Sequence, residues 1–134
     1  MRTRYALEAD DVQHALAAAK AEARQHGWPV TIAVVDDGGH PLGLVRMDGA
    51  APSSAYTALE KARTAALGRR ESRLFEESIN GGRLALLSAP LTGMLEGGVP
   101  ILIEDVCVGA IGVSGVRSSE DAQIARAGVL NVKL

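Results

Sequence analysis

The chain has 134 residues, a length that suits one domain around one core, and 47% of them are apolar, far from the composition of disorder. Fourteen Lys and Arg stand against 16 Asp and Glu, so the net charge of −2 leaves no electrostatic footprint for nucleic acid. The apolar runs are too short to span a bilayer. The opening MRTRYALEADD also lacks the hydrophobic core of a secretory leader, so no membrane partner and a cytoplasmic location are expected.

Glu8 to His26 reads as a helix, with Val12, Ala15, Leu16, Ala19 and Ala23 on one apolar stripe and Gly27 as its stop. Asp10 and Asp11 sit in the first turn, where the helix dipole favours them. His14 and His26 fall off the stripe and are expected to face solvent. Pro29 to Val35 is apolar on both faces, as a central strand would be. Asp36-Asp37-Gly38-Gly39 then makes a turn, and Pro41 to Met47 returns as a second strand, with Arg46 and Asp48 at its far end.

Pro52 opens a second helix, with Ser53 and Ser54 available as caps. Ala55, Leu59, Ala62 and Ala66 form its stripe, and Ala58 and Ala65 widen it. Lys61, flanked by alanines, stands out, because a solvated helix face would carry more charge. Leu67 to Thr92 shows helical fragments broken by Gly81-Gly82, but no single pattern. A strand is expected near Thr92 to Leu95. From Gly97, PILIED and VCVGAIGVSG read as a strand pair. Gly109, Gly112 and Gly115 imply close approach of another backbone or a ligand. Ser118 and Asp121 resemble a capping box opening a last helix through Ile124, Ala125 and Gly128. Hairpins interleaved with helices give an α+β domain with an antiparallel sheet of five strands.

The candidate site residues follow from this layout. Arg46 and Lys61 could present cations to a carboxylate or propionate, with Asp48 orienting one of them. Alternatively, Arg46 and Asp48 only steady the crossover while Lys61 reaches solvent. His40, after two glycines, could ligate haem iron or act as an acid–base; equally it could be an exposed turn residue or a subunit contact. Asp36 and Asp37 read as turn chemistry. Gly97, Gly98 and Ser114 could offer backbone N–H groups and a hydroxyl to an anion, or simply make turns. Met47 and Met94 could pack a macrocycle or fill core gaps. Arg69, Arg70, Arg73 and Arg83 read as a solvated face, with a subunit interface second. Cys107 is the single cysteine and reads as a structural thiol. The histidines lack metal-ligand spacing, so no metal site is expected, and no glycine-rich phosphate fingerprint occurs. Aromatics are 3% of the chain, Tyr5, Trp28, Tyr56 and Phe75. That scarcity favours a ligand smaller than haem.

VVDDGGHPLGLVRMDGA, ALEKARTAA, GGVPILIED and VGAIGVSG, followed by a downstream ED and IARAG, together resemble the GlcG-like and HbpS-like family, also found as the C-terminal domain of PduO-type proteins. The matches run in order from about Leu7 to Gly128. The resemblance implies a profilin-like three-layer α/β/α sandwich around a five-stranded antiparallel sheet, one domain over residues 1–134, and assembly into dimers, rings or octamers. It also implies binding of haem or a related tetrapyrrole, while other members belong to small-organic-acid metabolism. Glu104-Asp105-Val106 departs from the family's Asp-Gly-Glu turn, and Leu67-Gly68 stands where an aromatic is usual. The expectation is a small homo-oligomeric protein binding a small anionic ligand, with haem the candidate cofactor. The alternative is an enzyme acting on a small carboxylate by proton transfer or hydrolysis, with His40 or Asp48 as base.

Overall fold

The segment Thr31 to Val35 is fully buried, because its alternate side chains enter two different cores. All 134 residues are described by a computed structural model. Its elements are α1 (Ala9–His26), β1 (Thr31–Asp36), β2 (Pro41–Arg46), α2 (Ser53–Gly68), α3 (Ser72–Asn80), a 3-10 turn (Leu84–Ser88), β3 (Gly98–Ile103), β4 (Val106–Ser114) and α4 (Ser118–Val129). The strands form an antiparallel sheet in the order β2-β1-β4-β3. No helix is long and apolar enough to cross a membrane.

On one face of the sheet, Ile32, Val34, Ile111 and Val113 pack against Ala15, Ala19 and Ala23 of α1 and Ile124 and Ala125 of α4. On the other, Ala33, Val35 and Ala110 meet Ala58, Ala62, Ala65 and Ala66 of α2. Small side chains on both sides let α2 approach the sheet closely. At Gly112 a Cβ would collide with the carbonyl of Ala58 and the amide of Ala62, so glycine is required there. The expected close approach of the β4 glycines is therefore to the chain's own backbone.

The sheet has four strands where five were expected. The segment expected as the fifth, Thr92 to Leu95, docks on α2 instead of pairing. Thr92 Oγ1 donates to Glu60 Oε2 at 2.7 Å, Gly93 lies against the backbone at Glu60 and Lys61, and Ser72 Oγ donates to the carbonyl of Leu95. Its hydrogen-bonding and packing needs are met by helices, which leaves no ladder to build.

Two local expectations also change. The deep face of α2 is Ala58, Lys61, Ala62, Thr64, Ala65 and Ala66, while Ala55 and Leu59 are only partly covered. At the start of α4 the backbone N–H of Arg117 donates to Glu120 Oε1, so Glu120 and not Asp121 closes the box. Asp121 is turned inward.

Candidate functional site

Lys61 is 4% exposed, on the face of α2 that covers β4. Its ammonium donates to Asp121 Oδ2 at 3.1 Å and to the carbonyl of Val113 at 3.0 Å. Asp121 accepts the Val116 backbone N–H through its other oxygen, 3.1 Å away. Burial pushes the Asp121 carboxyl up, more than the Lys61 ammonium and the Val116 N–H draw it down. Gly97 and Gly98 wrap this lysine: a Cβ at either position would strike its side chain or backbone. Three of the sequence-derived candidates, Lys61, Gly97 and Gly98, thus come together with Val113, the neighbour of Ser114. They enclose an ammonium whose charge is already matched, and the glycines make room for it.

Arg46 lies elsewhere. It is exposed at the end of β2, the opposite edge strand, and β2 stands two strands from β4, about 10 Å across the sheet. Within one chain, therefore, the Arg46 guanidinium and the Lys61 ammonium do not share a hollow. Arg46 and Asp48 instead line one end of a groove between α1 and β2. One stretch, of about 230 Å³, is walled by Lys20, Arg24, Val45, Arg46, Met47 and Asp48. The next, of about 340 Å³, shares Lys20, Arg24 and Val45 and continues over Leu16, Ala17 and Ala21. The ion pairs of the chain leave Lys20, Arg24 and Arg46 unmatched. The groove therefore carries two cations of α1, Lys20 and Arg24, over an aliphatic floor with Met47 at its end. Arg46 pairs with Thr31, whose hydroxyl meets Ser54 of α2, so its side chain leaves β2 on the α2 side, at the lip of the groove. Lys20 and Arg24 were not singled out in the sequence. Their i, i+4 spacing beside the apolar stripe of α1 is the signal that could have found them.

His40 sits at the tip of the β1–β2 hairpin with its side chain 77% exposed. Asp36 holds it: Nδ1 lies 3.0 Å and 3.1 Å from the two carboxylate oxygens, and the His40 backbone N–H donates to Oδ1 at 2.9 Å. Partial burial opposes ionisation of Asp36. The backbone N–H groups of His40 and Gly38, with the His40 ring, outweigh it and hold the carboxyl below its ordinary value. His40 and Arg46 stand at opposite ends of β2, six residues and about 20 Å of extended chain apart. A small ligand cannot touch both in one protomer.

Residues 7–130 match the family model described as haem degrading protein HbpS-like. The chain is also 51% identical to Protein GlcG of Escherichia coli (strain K12) over 114 residues, 85% of each chain. The chain belongs to the HbpS-like family. Among solved structures, a double mutant of HbpS from Streptomyces reticuli superposes with a TM-score of 0.89 at 32% identity, over 97% of this chain and 89% of that one. The PduOC:heme complex superposes with a TM-score of 0.86 at 26% identity, over 96% of each. The two folds cover 97% and 96% of this chain, so nearly all of the architecture is shared.

Proposed function

We propose that this HbpS-like protein binds a carboxylate-bearing, largely apolar small molecule in the α1–β2 groove, a haem-type tetrapyrrole being the candidate that the family description and the PduOC:heme complex support. The observation that carries this reading is the pair of unmatched cations on α1, Lys20 and Arg24, beside an aliphatic floor, with Arg46 at the lip on the edge strand. Arg24 can take a carboxylate through paired N–H donors, and Lys20 adds a point charge. Leu16, Ala17, Val45 and Met47 offer the apolar surface that a macrocycle or an alkyl chain would cover. The residues present fit haem in two respects, propionate partners and an aliphatic bed. Met47 supplies the sulfur that could face the iron, and no imidazole lines the groove. Haem would supply redox chemistry at its iron; this chain's part is to hold the propionates and shelter one ring face.

Self-association belongs to the same reading. β2 is an unpaired edge, and its Leu42 and Leu44 are 41% and 45% exposed on the side away from α1, so a second subunit could cover them. An enzymatic role draws support only from the Asp36–His40 contact, which orients a ring nitrogen as a general base requires. The separation of His40 from Arg46 counts against it.

Titration with hemin, followed by its Soret band, tests the proposal. Saturable binding by the wild type, weakened at least tenfold in Lys20→Ala/Arg24→Ala and less in Arg46→Ala, is the expected result. Equal binding by all three proteins would refute the groove as the site.

A further inference from the structure

The arginines around position 69 are left unexplained by the groove, which lies on another part of the molecule. Arg69 follows α2 with φ of 58°, in the left-handed region where a helix usually ends on glycine. Gly68 stands one position too early to take that role. A non-glycine residue held there carries strain and points to a use for its side chain. Arg69 Nη1 donates to the carbonyls of Asp37 and Ala66, which fixes the guanidinium without neutralising it.

That guanidinium lines a half-open cleft of about 340 Å³ between the N-terminal arm and the β3–β4 hairpin. Arg2 and Arg4 come from the arm, Asp37 from the β1–β2 turn, and Leu102 and Val106 give an apolar side. Arg4 is paired with Asp37. Arg2 has no carboxylate partner, and neither does Arg69. Asp105 is the other acid on the wall, so three cations face two carboxylates. An arginine presents five N–H donors, and Arg69 commits only one nitrogen to the protein.

We propose that this cleft is a second binding site, for a small oxyanion held between the guanidinium groups of Arg2 and Arg69. The shared chemistry is a planar or tetrahedral group of negative oxygens that accepts paired N–H donors, whether a phosphate or a carboxylate. Arg4, kept in place by Asp37, adds a third positive wall. Cys107 lies on the same cleft, and as the single cysteine it reports on occupancy.

The test is a titration of the full chain with inorganic phosphate, and separately with succinate, at constant ionic strength. Amide shifts are followed by NMR alongside the alkylation rate of Cys107 by iodoacetamide. Saturable shifts at Arg69, Val106 and Cys107 with slowed alkylation are expected, and the anion that saturates at lower concentration identifies the class. In Arg2→Ala/Arg69→Gly the apparent affinity should fall at least tenfold. Arg69→Gly alone should stay folded, because glycine takes the left-handed cap without strain and so offsets the loss of the hydrogen bonds to the Asp37 and Ala66 carbonyls. Arg46→Ala, in the other groove, should leave these shifts unchanged, so failure here is separable from failure there. Linear, unsaturated shifts with both anions would overturn the proposal. So would unchanged binding in the double variant or in Arg69→Gly.

Discussion

The ammonium of Lys61 and the carboxylate of Asp121 meet at 3.1 Å with side chains only 5% and 3% exposed, joining α2 to α4 past the end of β4. The two helices lie on opposite faces of the sheet. This contact joins the two helix layers directly, past the end of the strand. Each group also has a backbone partner, Val113 for the lysine and Val116 for the aspartate. A buried pair is stabilising mainly in the sense that neither charge can be left alone.

Removing one partner should therefore be costly. Lys61→Ala is expected to lose about 3–5 kcal/mol, because Asp121 would remain buried without its cation. Lys61→Met combined with Asp121→Leu should be less damaging than Lys61→Ala, since it leaves no stranded charge. Denaturant unfolding of the wild type and the two variants measures both effects, and a double variant that loses more than Lys61→Ala would show that a stranded Asp121 is not what the single substitution costs.

The two shifted carboxyls predict opposite pH slopes. Asp36 has a folded-state value below its ordinary 3.8, so the unfolded chain binds more protons in that window. Its contribution is complete above 3.8 and is lost as pH falls through the lowered value. Asp121 is raised above 3.8, so the folded chain binds the extra proton, and stability declines as pH climbs from 3.8 through the raised value. Unfolding free energy measured from acid to neutral pH should show a shallower acid loss in Asp36→Asn. In Asp121→Asn the decline with rising pH should disappear.

Gly112→Ala probes the closeness of α2 and the sheet. The added methyl would fall on the Ala58 carbonyl and the Ala62 amide, backbone atoms that cannot step aside. A loss of about 3 kcal/mol or more is expected from overpacking, read as a fall in the thermal midpoint of roughly 10 °C. A midpoint within about 2 °C of wild type would mean that the helix can lift from the strand at little cost.

Much of this architecture was legible in the chain. TIAVV, doubly apolar, named the central strand, the Asp-Asp-Gly-Gly turn fixed the first hairpin, and the alanines of α2 announced a close helix–sheet contact. What escaped were relationships between distant residues. Lys61 was conspicuous among alanines, but its partner is 60 positions away, and Asp121 looked like an ordinary helix cap. The segment after Leu67 folds as the short α3 and a 3-10 turn broken by Gly81-Gly82, and its place is set by side-chain bonds no pattern announces: Ser72 to Leu95 and Gly98, and Thr92 to Glu60. The candidate site divided for a similar reason. Arg46 and Lys61 sit near each other in sequence, yet the order β2-β1-β4-β3 sends them to different parts of the sheet. The cations that do neighbour Arg46, Lys20 and Arg24, come from α1, whose relation to β2 only the fold reveals.

The place where a tetrapyrrole settles decides the account. Paramagnetic broadening of backbone amides on adding hemin to the isotope-labelled protein maps that place residue by residue. The groove predicts that signals of Leu16, Lys20, Arg24 and Val45 to Asp48 vanish first, while Gly97, Gly98 and Val113 around the enclosed lysine persist. Broadening centred on His40, with the α1 and β2 signals untouched, would contradict it.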